Sequence, residues 1–306
     1  MTIPASGALA ASTIATEFSH ATGPGSNIRL SEFIRNNNAS YPNISSYVAD
    51  ITANAPIPQS TSGLSFSKYY SSQKGTIHRQ TISADTTAYN QFSSAGGAIP
   101  IDSHVVINSG IFIYSTSTGT PAYTTGSAPG GSKLYLVNNG VISGKGGAGG
   151  AGASNVGSAG GLAATFATPI SVNNASGTIG GGGGGGGGGA NQSIDFPQPD
   201  APTITNVYGG GGGGGGAGKS GGAGGAGQAA DGPGSPGSGG SWNTGGAGGA
   251  GGYGGTYAGG AGGAAGAAGS AGAGGGGAGG AAGAATSGAP TYATFISVGT
   301  RSGTVG

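Results

Sequence analysis

The sequence predicts a mostly irregular and β fold, with short N-terminal helices, a small β domain and then a packed lattice of polyglycine II helices carrying exposed loops. Three observations predict it. Apolar periodicity changes from helical to strand-like near residue 60, 78 of the 306 residues are glycine, with the long tracts after residue 143, and within those tracts a non-glycine residue returns at every third position. The resulting division is an N-terminal helical attachment segment over 1–60, the β domain over 61–143, the glycine-rich lattice with its connecting loops over 144–285, and a C-terminal strand over 286–306.

In the first segment Ser26 and Asn27 can cap a helix over Ile28 to Arg35, and Ile44, Tyr47, Val48 and Ile51 fall on one helical face. Helices this short need a partner surface, because isolated helices below about 12 to 15 residues are marginal in water. The β domain follows, with strands at Thr76 to Ser83, Ser103 to Asn108, Gly110 to Ser115 and Lys133 to Asn138, each rich in Val, Ile or Tyr and bounded by Gly, Asn or Ser. Asn138-Asn139-Gly140 then marks a turn, and Val141-Ile142-Ser143 returns as a short strand. Near the other end Thr291 to Val298 reads as a strand that leaves the glycine region.

The period of three appears at Ala148 and Ala151, at Ala223 and Ala226, at Ala247, Ala250, Tyr253 and Thr256, and at Ala261, Ala264, Ala267, Ser270 and Ala273. Three residues per turn is the repeat of the extended left-handed polyproline II conformation, which glycine also adopts and which makes no internal hydrogen bonds. Such tracts bond either to water or to one another. Ordering a residue costs roughly 1 to 2 kcal/mol of backbone entropy, most for glycine, so a lone tract stays disordered. Packed tracts gain about 1 kcal/mol net per N–H···O=C bond and roughly 0.5 kcal/mol per Cα–H···O contact. Tracts of similar length, about ten residues or about 30 Å, suit such packing.

Composition excludes several functions. Charged residues are 6% of the chain and the net charge is +1, so no electrostatic partner such as nucleic acid is implied. There is no Cys, hence no disulfide, thiolate nucleophile or Cys-based metal site. The N-terminus has Pro4 and no Lys or Arg before its apolar residues, a poor secretory signal, and no run of about 18 apolar residues exists to insert in a membrane. Residues 213–220, GGGGAGKS, fit the phosphate-cradling pattern at every position, but the Gly- and Pro-rich stretch after Ser220 cannot form the helix that the motif requires. His20, His78 and His104 are scattered, and Asp195 and Asp200 share a Pro-rich loop without a third catalytic group. No enzyme, metal or cofactor is expected.

The succession VVINSGIFIYS (105–115), SKLYLVNNGVISGKGGAGGAG (132–152) and TPISVNNASGTIGGGGGGGGGG (168–189) resembles the receptor-recognising tail-fibre-tip adhesins of T-even-like bacteriophages. The resemblance spans roughly residues 100–285. It implies a sandwich of polyglycine II helices in the virion, at the distal tail or tail fibre, made in the host cytoplasm. It also implies no enzymatic activity, and connecting loops that bind a bacterial outer-surface receptor, an outer-membrane protein or surface glycan. By position those loops lie within 153–168, 191–208, 229–244 and 253–257. A Trp-rich N-terminal attachment segment typical of the family is not visible; residues 3–36 and 298–305 instead resemble segments of other phage tail proteins, which implies tail or fibre partners reached through the N-terminal region. The alternative is a structural tail-tip or fibre protein serving as spacer or plug without receptor binding.

Phe166, Phe196, Tyr208, Trp242, Tyr253 and Tyr257 sit amid Gly, Ser, Asn and Pro, as aromatic anchors do in antibody loops, and are the candidate receptor contacts. Trp242 is the leading one; Tyr253, in phase with the Ala repeat, is better explained by packing against the tracts.

Overall fold

The computed structural model describes residues 3–18, 33, 48–49, 51–59, 62–96, 99–198, 201–252 and 256–306. The molecule is mostly β and irregular, with few helices. Helix α1 is Ala11–Glu17, and single 3-10 turns follow at Thr52–Asn54 and Phe66–Tyr69. The predicted helix at Ile28 to Arg35 and most of the Ile44 to Ile51 face lie outside the described residues. Ile3, Ile14, Phe18, Phe33, Val48, Ile57 and Tyr69 form a small core of their own, which is the partner surface that α1 requires.

The β architecture is a three-sided parallel coil. Its first turn consists of β1 (Thr76–Ile82), β2 (Thr86–Thr87) and β3 (Tyr89–Asn90), after which helix α2 (Gln91–Ala95) leads to the second turn. That turn is β4 (Ile101–Ile107), β5 (Phe112–Tyr114) and β6 (Tyr123–Thr124), and the third is β7 (Lys133–Asn138), β8 (Val141–Ser143) and β9 (Ala164–Thr165). Strands β10 (Ile170–Asn173) and β11 (Thr178–Gly180) open the fourth turn. It closes only after the antiparallel hairpin of β12 (Gln192–Gln198) and β13 (Ala201–Tyr208), at β14 (Thr286–Ser287). Helix α3 (Ala289–Tyr292), β15 (Ala293–Ser297) and β16 (Thr300–Ser302) complete the chain. Each side of the coil is a parallel sheet, ordered β1-β4-β7-β10-β15, β2-β5-β8-β11-β16 and β3-β6-β9-β14. The β part therefore does not end at residue 143; it takes in 164–180 and 286–302, and the C-terminal strand lies beside β10.

Alternation along the strands explains the coil. In β7 Leu134 and Leu136 are buried while Lys133, Tyr135 and Val137 are not fully covered, the period-2 pattern of one face turned inward. Stacked in register, Val105, Leu136 and Val172 fill one wall and Ile113, Ile142 and Ile179 the next. At the corner between these walls the doubled asparagines form a buried ladder. Asn138 Nδ2 donates to Asn174 Oδ1 at 2.7 Å, Asn174 Nδ2 to the Val298 carbonyl at 2.7 Å, and Asn138 Oδ1 accepts from Gly140 N–H at 3.1 Å. A buried amide side chain is tolerated when its donors and acceptors are engaged, and a repeated corner provides that.

The glycine tracts grow out of this coil. Strand β8 runs straight into 144–152 and β11 into 180–189; the parallel pairing continues across the boundary, with Gly144, Gly147 and Gly150 N–H bonded to the carbonyls of Gly180, Gly183 and Gly186 at 2.9, 2.9 and 2.8 Å. Tracts 157–161 and 276–285 return the chain to β9 and β14, again parallel to each other.

Within the tracts, bonds recur every third residue and successive residues point in three directions. Gly182 N–H reaches Gly161 O, Gly183 reaches Ala217 O and Gly184 reaches Ala267 O, at 2.8, 2.8 and 2.9 Å, and Gly185 returns to the first direction at Ser158 O. Carbonyls of the same tract accept from Gly147, Gly263 and Gly283. Tract 180–189 thus has 144–152, 157–161, 209–218, 257–266, 267–273 and 276–285 around it, while 209–218 has 144–152, 180–189, 221–228, 232–241, 244–252 and 257–266. These neighbour relations form a slab of three layers, with 157–161, 144–152 and 221–228 on one flank, 276–285, 180–189, 209–218 and 232–241 in the middle, and 267–273, 257–266 and 244–252 on the other flank.

Residue type follows position in the slab. The two surrounded tracts are glycine throughout apart from the buried Ala217, and both are buried along their length. On the outer tracts the third-position Ala is the exposed residue, as at Ala223, Ala226, Ala247, Ala250, Ala261 and Ala264. The period of three read from the sequence is thus the period of exposure.

Candidate functional site

Tract direction divides the slab into two ends. Chain reversals at 219–220, 242–243 and 265–266 lie at the base, beside the coil; Gly266 packs against Ser302 and Gly303. The far end carries 153–156, the strands of the β12–β13 hairpin, 229–231, the chain at 252 and 256, and 274–275. Non-glycine residues with left-handed backbone occur there at Ala153 (φ 65°) and Ser154 (φ 62°), an uncommon conformation that the surrounding bonds hold in place. Asn155 Nδ2 bonds the Gly152 carbonyl at 2.7 Å and Ser154 N–H bonds Gly189 O at 3.0 Å.

The hairpin is tied to its neighbours at the root. Val207 N–H donates to Asp231 Oδ2 at 3.0 Å, Gly210 N–H to Asn191 Oδ1 at 3.1 Å, and Thr205 Oγ1 to Asp195 Oδ1 at 2.7 Å across the strands. Asp195 is therefore a strand-pairing residue; Asp200 lies outside the described residues.

The six aromatic candidates fall into distinct places. Phe196, on β12, is 39% exposed. Tyr208 and Tyr257 are half-buried, each against a glycine: a Cβ on Gly232 would come within 2.4 Å of the Tyr208 ring, and one on Gly274 within 1.9 Å of the Tyr257 ring. These three share the far end. Tyr253 lies outside the described residues.

Phe166 and Trp242 require correction. Phe166 is 1% exposed, in the coil core against Tyr123 and Phe295, so it has no surface for a receptor. Trp242 follows a tract running toward the base and meets Phe112 edge-on, centroids 5.2 Å apart at 82°. It joins slab to coil. Sequence reading also missed Val156, 64% exposed, and Val207, 37% exposed, which add apolar surface at the far end. Neither stands out by residue type; only their position between tracts marks them.

Lys219, the lysine of the phosphate-loop pattern, completes the joint. Its Nζ lies 3.0 Å from Asp85 Oδ2 and 4.2 Å from the centroid of the Phe112 ring, and Ser220 Oγ accepts from Lys145 Nζ at 3.1 Å. Both motif side chains are engaged in packing. The Asp85 carboxyl is held below the usual carboxylate range, first by the Phe112 N–H at 2.9 Å and then by Lys219. A depressed folded-state pKa stabilises the fold fully above about pH 4, the ordinary Asp value, and that contribution is lost as pH falls through the folded value. Asp85→Asn is therefore expected to leave stability less sensitive to acid below about pH 4, measured as the difference between variant and parent melting temperatures across pH.

The histidines described are structural. His104 stacks on Tyr135 at 4.4 Å, with Nε2 3.4 Å from Asp102 Oδ1, and His78 Nδ1 pairs with Ser103 Oγ at 2.9 Å. Among the described residues no group of three or more His, Cys, Asp or Glu could hold a metal ion, and no helix is long and apolar enough to cross a membrane.

A parallel coil bearing a slab of bonded tracts, with loops hung between the tracts at one end, defines a class of protein that presents loops on a fixed frame. The chain belongs to the phage tail fibre adhesin Gp38 family, which matches residues 75–306. It is similar to a chain in the crystal structure of the gp37-gp38 adhesin tip complex of the bacteriophage S16 long tail fibre, at 26% identity and a TM-score of 0.51, covering 80% of this chain and 88% of that one. No curated protein matches. Membership places the chain in the virion tail, in a non-enzymatic family.

Proposed function

We propose that this chain is the receptor-recognising adhesin of a phage tail, that its tracts are polyglycine II helices packed as a lattice, and that the far-end loops contact a receptor on the bacterial surface. The observation that carries the reading is convergence: the strands of the hairpin and the 153–156, 229–231 and 274–275 loops emerge together at the end opposite the coil, with Phe196, Val207 and Val156 exposed among them. Aromatic anchors among small adaptable residues suit recognition.

Two features support the polyglycine II assignment. Bonds recur at every third residue in three directions, and no glycine of 180–189 or 209–218 has a φ in the left-handed region, in keeping with one uniform hand. The tracts within 144–161 and 181–285 make the lattice, 164–180 and 286–302 belong to the coil, and 1–60 form the attachment segment. In the S16 structure a gp38 is complexed with gp37. By that likeness the partner of this chain is another tail or fibre protein, bound through the N-terminal region.

Phe196→Ala combined with Val207→Ala is expected to reduce adsorption at least about 30-fold, the effect of losing one interface hot spot of about 2 kcal/mol, while particles assemble normally. Trp242→Ala, at the base, is the matched control and leaves affinity for cells unchanged where folding is retained. Unaltered adsorption by the Phe196/Val207 variant would sink the tip reading and favour a spacer or plug.

A further inference from the structure

Besides the far-end loops, the slab has a recess of about 380 Å³ on the flank near the base, lined by Thr116, Ser117, Thr118, Lys145, Ser158 and residues 146, 148, 222 and 223. That size is within the range of small-molecule sites, about 300 to 1,000 Å³. Its wall is the loop after β5. This loop is fixed from within, since Ser115 Oγ donates to Ser117 O at 2.6 Å and accepts from Ser117 N–H at 3.1 Å, and Ser117 Oγ accepts from Gly119 N–H at 3.2 Å. It is fixed from below where Thr118 Cα rests on Gly161, so closely that a Cβ there would lie 3.0 Å away.

The floor follows from how an outer tract bonds. Along 144–152, residues 144, 147 and 150 donate inward, 146, 149 and 152 donate to the adjacent tract, and the carbonyls of 145 and 148 accept from 161 and 158. Among the described residues this leaves the Ala148 N–H and the Gly146 carbonyl without a backbone partner, side by side in the recess. Such groups seek hydrogen bonds. The hydroxyls of Thr116, Thr118 and Ser158 likewise have no protein partner among the described residues. Lys145 Nζ is held by Ser220 Oγ at 3.1 Å and the Gly221 carbonyl at 3.5 Å, and no described carboxylate pairs with it. Its ammonium is thus oriented, with a third donor available.

A ring of donors and acceptors around one fixed cation matches a polyhydroxylated ligand bearing one negative charge. We infer that this recess is a binding site for an acidic carbohydrate, a sugar carrying a carboxylate or a phosphate, separate from the far-end loops. The cation takes the acid group, and the hydroxyls with the Ala148 N–H and Gly146 carbonyl take the sugar hydroxyls. A weak site at the base, added to recognition at the far end, lengthens contact with a glycan-coated cell by raising the effective concentration of the second site.

The full chain, labelled with 15N, is titrated with glucuronic acid, glucose 6-phosphate, glucose and sodium phosphate while the amides of Ala148, Ser158 and Thr118 are followed. Both acidic sugars are expected to shift these amides with Kd about 1 mM, and glucose to bind at least about tenfold more weakly. Lys145→Gln lowers affinity about tenfold or more. Thr118→Val, which keeps the cation and its slab contacts, also lowers it, and Phe196→Ala has no effect. The site is overturned if neither acidic sugar moves these amides at about 20 mM, if glucose binds as well, or if sodium phosphate reproduces the shifts with equal affinity, which leaves an anion contact only. None of these outcomes depends on adsorption, so the site and the tip reading fail separately.

Discussion

Gly185→Ala is expected to destabilise the slab by about 3 kcal/mol or more, enough to lower its melting temperature by many degrees or to prevent its folding. The added Cβ would sit 1.9 Å from the Ala148 carbonyl oxygen. Rotating the tract offers no escape, because a Cβ on Gly184 would lie 2.0 Å from Gly280 O and one on Gly186 2.0 Å from Gly260 O. All three directions are closed by backbone, which cannot swing aside as a flexible side chain does. Ala226→Ser, at an exposed third position, is the control and changes stability by less than about 0.5 kcal/mol. Thermal unfolding of both variants decides: equal melting temperatures would mean the tracts are not packed as described.

Hydrogen exchange gives the second large effect. Amides of Gly183 to Gly187 are expected to exchange at least about 10³-fold more slowly than in a free peptide, alongside those of β4 and β7, because each is bonded inside the slab and opens only with it. In tract 144–152 protection alternates. Gly147, Gly149 and Gly150 N–H are bonded, while Ala148 and Ala151 N–H face outward and exchange fast. A disordered glycine chain exchanges uniformly at free-peptide rates, and a β-sheet edge protects every second amide, so a period of three is specific to this packing.

Much of the frame was legible because its two periods are strong. The Val- and Leu-rich alternation of Lys133–Asn138 and the Val141–Ser143 return were placed residue for residue, and the Ala spacing of the tracts coincides with their exposed positions. The parallel coil was not legible. Strands β11 and β14 belong to one turn yet are separated by residues 181–285, and no local pattern reports a contact across that distance. Trp242 misled because its neighbours, Gly, Ser and Asn, suit a recognition loop as well as a tight reversal; its place follows from the direction of the tract before it. Phe166 misled because composition assigns it to the glycine region, whereas it sits one residue past β9, where the chain has rejoined the core.

The three-residue bonding repeat constrains how such a protein changes length in evolution. Removing one or two residues from 180–189 would rotate the rest of that tract by a third or two thirds of a turn, turning donors toward the wrong neighbours on every side. Removing three shortens the tract and keeps every remaining partner type. Insertions and deletions within the tracts are therefore confined to multiples of three, while the far-end loops accept any number. Relatives aligned on their tracts should show gaps of three there and free length variation at 153–156, 191–208, 229–231, 253–256 and 274–275, so one frame can carry unrelated loops without being redesigned.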